Sequence, residues 1–310
     1  MPDHRIPDAA TVRTAVAMAV RAPSAHNAQP WQWRIGYSTF HLFADPEPRP
    51  PESERDRRDL VLGCGAALHH LRVGFGALGW ATTVDRLPDA ADPGHLAVVT
   101  PHWAEPSERD VVLAAAIPHR RSDRRPHGSW PVPREYLAAL SGEAAREGVL
   151  VRVLDRSASR LVTAAIAGEF PPDAGRPSPV RSPAGAAVLH RRAAPSAIAP
   201  DNEGTVLLVL STPGDDTFWR LRAGEATSAV LLRATALGLA SCALTEPLVT
   251  PEAREVLDDL VTDAGVPQVL LRVGWAPANA APLPATPRRG LAHVLEPLQA
   301  PPKYHHRAVR

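Results

Sequence analysis

Cysteine is scarce in this 310-residue chain: Cys64 and Cys242 are the only two, too few for a disulfide framework or a zinc cluster. Lysine is scarcer. Lys303 is the single one among 34 basic residues, in a tail beside Pro301, Pro302 and Tyr304, which excludes a Schiff-base lysine and a phosphate-loop lysine. Net charge is almost absent, 34 Lys plus Arg against 33 Asp plus Glu, whereas a general nucleic-acid binder carries a strong basic excess. No run approaches 18 uninterrupted apolar residues, and no apolar stretch follows Met1-Pro2-Asp3-His4-Arg5. Neither a membrane span nor a signal peptide is therefore expected, and the expected location is cytoplasmic. HExxH and GxSxG are missing too, so the usual markers of a zinc protease and of a hydrolase elbow are lacking.

What is present is a chain long enough to bury roughly three quarters of its unfolded surface without staples. Helical spacing of Val12, Ala15, Val16 and Ala19 after a capping Asp8 predicts a helix over 8–22. Pro23 breaks it, and the alternation of Trp31, Trp33 and Ile35, followed by Phe40, Leu42 and Ala44, predicts a hairpin. A long apolar helix is expected over 53–80 and strands at 84–87 and 95–100. Further helices are expected over 107–117, 133–147, 218–240 and 251–260, with strands at 149–154, 205–210 and 269–273. Residues 156–203, dense in Ala, Pro and Arg, read as an insertion: helical at first (159–167), then too proline-rich for a long regular element.

A weak internal repeat underlies this order. Setting Gly79 over Gly238 places Gly65 on Gly224, Ala67 on Ala226, Ala77 on Ala236 and Leu78 on Leu237. The division it suggests is a first half over 1–104 and a second over 105–310, with a lid-like insertion at 156–203.

Gly74-Phe75-Gly76-Ala77-Leu78-Gly79 matches GxGxxG in form. A dinucleotide site needs those glycines at a strand-to-helix turn; here they lie inside a helical run, where small residues permit close helix contact. Two other segments carry residues that are costly in regular structure. Pro23-Ser24-Ala25-His26-Asn27-Ala28-Gln29-Pro30-Trp31 is either a capping loop or a platform for a planar polar ligand. Arg120-Arg121-Ser122-Asp123-Arg124-Arg125 suits a phosphate, through charge-assisted and bidentate bonds, or is a solvated basic patch. Pro287-Arg288-Arg289 adds guanidinium groups near the end.

Together these segments resemble the FMN-dependent nitroreductase family, in which an Arg-x-Ser-x-Arg segment precedes a Pro-Ser-x-x-Asn-x-Gln-Pro-Trp loop and two subunits grip each flavin. Here the loop motif (Pro23 to Trp31) lies in the first half and the arginine motif (Arg120 to Arg124) opens the second. That distribution is similar to the Acg-type branch, whose single fused chain imitates the dimer. Cys64-Gly65-Ala66-Ala67-Leu68-His69-His70-Leu71, Arg272-Val273-Gly274-Trp275-Ala276-Pro277 and Thr286-Pro287-Arg288-Arg289 fit the branch as well.

The resemblance implies an α+β fold: two related mixed or antiparallel sheets flanked by helices, arranged as an internal pseudo-dimer. It implies one FMN per chain, its phosphate held by Arg120, Arg121 and Ser122 with Arg288 or Arg289. Arg124 would lie near the pyrimidine edge of the ring, and Pro23, Ser24, His26 and Asn27 would approach from the other half. Leu244, Thr245 and Glu246 match the segment that reaches N5; Pro247, where the family often has glycine, lacks an N–H. The implied activity is hydride transfer from NAD(P)H through the flavin to a quinone or nitroaromatic acceptor, without a separate catalytic acid or base. An alternative is flavin storage under a lid with little turnover. The chain would act as a monomer or weak homodimer, without nucleic-acid or membrane partners.

Overall fold

Asp8 starts the first helix, its carboxylate accepting from Thr11 N at 2.7 Å, and α1 runs Ala9–Ala19 with Ala15, Val16 and Ala19 buried. The structure is a computed structural model and describes residues 6–45, 53–167, 204–249, 251–261 and 265–297. After α1 come β1 (Trp31–Ile35) and β2 (Phe40–Ala44), antiparallel, with Trp31, Trp33, Phe40 and Leu42 turned to the core. Ser53 then caps α2 (Glu54–Ala77) in a capping box with Asp56, which satisfies two N-terminal donors reciprocally. β3 (Trp80–Arg86) and β4 (His95–Trp103) complete the first half.

The second half opens with α3 (Glu108–Ala116) and α4 (Arg134–Arg146), then β5 (Leu150–Val153), α5 (Arg156–Ala167), β6 (Thr205–Thr212), α6 (Thr217–Ala236), β7 (Ala240–Leu244), α7 (Pro251–Leu260) and β8 (Val266–Gly274). A last short strand, β9 (Leu295–Pro297), follows. Of the expected insertion, Arg156–Ala167 is α5, in contact with α7; 168–203 lies outside the described residues.

One sheet has the order β3-β4-β2-β1-β9 and the other β5-β6-β8-β7. Read from the opposite edge, the second is β7-β8-β6-β5, the order of the first sheet's β3-β4-β2-β1 with each strand replaced by its counterpart; β9 has no counterpart there. All these pairings are antiparallel except that of β9, which runs parallel to β1 with Trp33 opposite Leu295. The long helices hold equivalent places, α2 between β2 and β3, α6 between β6 and β7. The architecture is thus α+β with two related sheets, one mixed and one antiparallel. Among the described residues, the half beginning at residue 105 also contributes a strand to the first sheet, because β9 pairs with β1.

α2 and α6 pack along the centre. Their backbones touch at Gly65 and Gly224: a Cβ added to either would lie 2.9 Å from the other's Cα and strike the carbonyl of Leu221 or Leu62. Gly74 and Gly76 serve neighbouring contacts, Gly74 against Ala15 and Met18 and Gly76 against Asp110, so the GxGxxG match is helix packing. α2 is long and apolar enough to cross a membrane, but most of its apolar window is buried within the protein. It is a core helix.

Beside this seam runs a charged network. Glu225, fully buried on α6, binds Arg86 through both oxygens (2.7 and 2.8 Å) and Arg72 at 2.6 Å. Arg72 also reaches Glu147 at 2.8 Å. First-half arginines thereby neutralise second-half carboxylates.

Candidate functional site

The Pro23–Trp31 loop is shaped by three non-glycine residues at positive φ, His26 (51°), Asn27 (56°) and Gln29 (51°). That region is uncommon for side-chain-bearing residues, and several bonds hold it. Gln29 N donates to Ser24 Oγ at 2.9 Å. Asn27 Nδ2 donates to Pro287 O at 3.1 Å, and Arg288 Nη1 to Asn27 Oδ1 at 2.9 Å. Arg289 N donates to Gln29 Oε1 at 2.8 Å. Beneath the loop, Gly63 of α2 admits Ser24 and Pro30: its added Cβ would meet Ser24 Cβ at 3.2 Å. Cys64 Sγ donates to Pro30 O at 2.9 Å, and burial pushes that thiol far up. A nucleophilic cysteine would need the reverse.

The arginine segment hangs from the end of α3, where Arg120 N donates to Ala116 O. Arg120 is only 4% exposed, yet its Nε and Nη1 have no hydrogen-bond partner. Burial, then the charges of Arg288, Arg121 and Arg21, push it down to about 9. Arg288 is likewise pushed down to about 10 by burial and by Arg21 and Arg121. Arg121 fixes the C-terminal segment through Pro284 O at 3.1 Å and donates to Pro118 O at 2.8 Å. Arg21 Nη2 meets the same Pro118 carbonyl at 3.3 Å, and Arg288 Nη2 donates to Arg21 O at 3.1 Å. Four guanidinium groups from three distant parts of the chain therefore converge.

The structure thus brings Asn27, Arg120, Arg121 and Arg288 together. Pro23 and Ser24 are partly buried in the loop, and His26 is exposed at its tip. Ser122 and Arg124 are exposed on the same segment, whose path is fixed by Asp123 N to Ser241 O (2.9 Å) and Arg272 Nη1 to Arg124 O (3.3 Å). Arg289 is engaged elsewhere, with Asp45 at 2.7 Å and His293 O at 3.0 Å, so its charge is already neutralised. Leu244 is buried with Leu248 and Leu257, and Thr245 O accepts from Leu248 N at 3.1 Å. The strand β7 touches the arginine segment at Ser241, three residues before Leu244. Glu246 begins a 3₁₀ turn, Glu246–Val249.

Two residues escaped the sequence reading. Arg21 immediately precedes Ala22-Pro23-Ser24, and its place beside the loop motif was the available signal. His70, wholly buried on α2, lies within electrostatic reach of Arg120 and Arg288; nothing in the sequence distinguished it from His69. Among the described residues no group of three or more His, Cys, Asp or Glu could hold a metal.

No protein-family model matches the chain. Full-length relatives do. A Mycobacterium tuberculosis protein provisionally named NAD(P)H nitroreductase Rv3131 is 44% identical over 321 residues, covering 94% of this chain and 92% of its own. Another from that organism, provisionally named NAD(P)H nitroreductase acg, is 33% identical, covering 95% and 97%. The chain belongs to the Acg-type branch of the nitroreductase family. An uncharacterised M. tuberculosis protein, Rv3127, is also 33% identical, covering 94% of each chain. Among solved structures, the FMN-dependent nitroreductase NfnB of Mycobacterium smegmatis in complex with NADPH aligns with 59% of this chain and 96% of its own, at 18% identity and a TM-score of 0.43.

Proposed function

We propose that this Acg-type protein is an FMN-binding oxidoreductase that takes hydride from NAD(P)H and passes reducing equivalents to a small acceptor of the quinone or nitroaromatic class. The observation that carries the reading is the Arg120 guanidinium. A buried cation without a hydrogen-bond partner, with three further arginines as its principal charged neighbours, is costly unless an anion accompanies it. A phosphate monoester suits such a cluster, since guanidinium groups bind its oxygens by charge-assisted bonds. Arg120, Arg121 and Arg288 would hold that phosphate, with Ser122 as a hydroxyl donor and Arg21 alongside.

The Asn27 loop, bonded directly to Arg288, supports a ligand reaching from the cluster toward the first half. Its positive-φ geometry is held by bonds within the protein, so binding costs little further ordering. Exposed Arg124 supplies a cation further along the arginine segment. When bound, FMN supplies the hydride-accepting and electron-passing chemistry, while the protein contributes position and electrostatics. The provisional names of the relatives support the nicotinamide donor.

The test is an absorbance spectrum of purified protein supplemented with FMN, then anaerobic NADPH. A bound-flavin spectrum that bleaches with NADPH and recovers with a quinone is expected. A bound flavin that never bleaches would replace turnover by storage, and failure to bind FMN would end both readings.

A further inference from the structure

The register that sets Gly65 against Gly224 and His69 against Ser228 also matches other positions of the two halves. It places Gly63 on Arg222, Ala66 on Glu225 and Arg86 on Thr245. The surrounding elements correspond too: α1 packs on α2 as α4 packs on α6, and each leads into an equivalent strand, β1 or β5. In the first half, Gly63 lies against Ser24 and Pro30 of the loop after α1. In the second, Arg222 lies against the turn after α4. A Cβ on Gly148 would come within 3.3 Å of its Nη2, and its Nη1 donates to Glu147 Oε2 at 3.3 Å. The place between the Asn27 loop and the end of β7 therefore has a counterpart between the end of α4 and the end of β3.

That counterpart is filled. Glycine, alanine and threonine at the first place become Arg222, Glu225 and Arg86 at the second. Glu225, fully buried, receives what a bound oxyanion would. Arg86 Nε donates to Oε1 at 2.7 Å, and Arg86 Nη2 and Arg72 Nη1 donate to Oε2 at 2.8 and 2.6 Å. Arg222 Nη1 stands 3.7 Å from Oε1. These guanidinium groups come from β3, α2 and α6, and their forks fit the oxygens of any carboxylate or phosphate.

We propose that this network is a second oxyanion pocket between the halves, whose ligand is the chain's own Glu225 carboxylate. Its standing as the counterpart of a ligand site rests on the function proposed above; its anion chemistry rests on its own three arginines. The covalent tether keeps the carboxylate always at hand, so an external anion enters only when that side chain is removed. A small free carboxylate then restores the charge-assisted bonds of Arg72 and Arg86.

Acetate is the suitable probe, being the end of a glutamate side chain set free. Glu225→Ala should lower the urea midpoint read by circular dichroism in chloride. Replacing chloride by acetate at constant ionic strength should raise that midpoint by more than it raises the wild type's. At about ten times its dissociation constant, acetate should raise the folding constant of the variant roughly tenfold. Glu225→Ala/Arg86→Met should lose this extra response. An equal response of Glu225→Ala and wild type, or an extra response that survives the loss of Arg86, would overturn the proposal. Should Glu225→Ala be unfolded in chloride, acetate should restore its circular dichroism, and no restoration would overturn the proposal as well. Repeating the series in an Arg120→Met background separates the two sites: a response that persists belongs to the Glu225 pocket, and one that vanishes belongs to the Arg120 cluster and overturns the proposal. Failure of the flavin reading shows differently, as wild-type protein that does not bind FMN while the acetate response stands.

Discussion

His69 of α2 and Ser228 of α6 stand 159 positions apart and bond to each other across the seam, Nδ1 to Oγ at 2.8 Å. The same offset places Gly65 against Gly224. Equivalent positions of the two halves therefore meet each other, which is the property of a two-fold axis, here written into one chain. Leu62 and Leu221 obey it too, each presenting its carbonyl to the glycine of the other helix.

That contact leaves no room for a side chain. Gly65→Ala or Gly224→Ala should force the central helices apart and cost about 1–3 kcal/mol or more, as overpacking does. Urea denaturation read by circular dichroism checks this. A wild-type midpoint in either variant would show that the helices do not approach this closely in solution.

Arg120→Met should separate stability from binding. Removing a buried, unpartnered guanidinium while keeping its volume should leave the ligand-free protein as stable as before or more so. Flavin affinity should fall by about 2 kcal/mol or more, the scale of lost hydrogen bonds to a charged group. Thermal melts with and without FMN, and a flavin fluorescence titration, measure both.

Glu225→Gln predicts the opposite for the ligand-free protein. It removes one partner of a buried cluster and leaves Arg72 and Arg86 short of charge, which costs about 3–5 kcal/mol when such pairs are broken one-sidedly. Chemical denaturation should show the loss, and replacing Arg86 by Met in the same chain should recover part of it. A neutral result would mean that water compensates the two arginines.

His127 sets an acid limit. Burial, then the cation of Arg272, pushes its imidazole down to about 4, against the opposing pull of Asp123. The unfolded chain therefore binds more protons between about pH 6.5 and pH 4. Stability is present above that window and lost as pH falls through it, by on the order of 3 kcal/mol. His127→Gln should flatten this part of a stability-versus-pH curve measured by urea melts.

Most of the fold is legible in local chemistry. Asp8 announced where α1 begins, and the apolar pattern placed the start of α2 at residue 53, where the structure has the Ser53–Asp56 capping box. The ends of the long helices were read too late: apolar continuity carried them to Trp80 and Ala240, which belong to β3 and β7. Gly79 (φ 87°) and Gly238 (φ 78°) take the left-handed conformation at those ends, the ordinary stop signal that the reading passed over. β9 was missed altogether, since three residues paired with a strand far away in sequence leave no periodic trace. In the candidate site, the loop and arginine motifs were visible as residue types. The choice of Arg288 over Arg289 was not, because Asp45 decides it through a tertiary contact.

β9 also bears on how the fold is completed. The first sheet has its helix, its hairpin and its next two strands within the opening third of the chain, yet its edge strand is supplied by Leu295–Pro297, and Arg288 arrives only just before it. The Trp31–Ile35 edge is therefore open until the segment around residues 288–297 is in place, and that one segment both closes the edge and completes the guanidinium cluster. The covering of a sheet edge and the convergence of the arginines are thus tied to the same short stretch of chain.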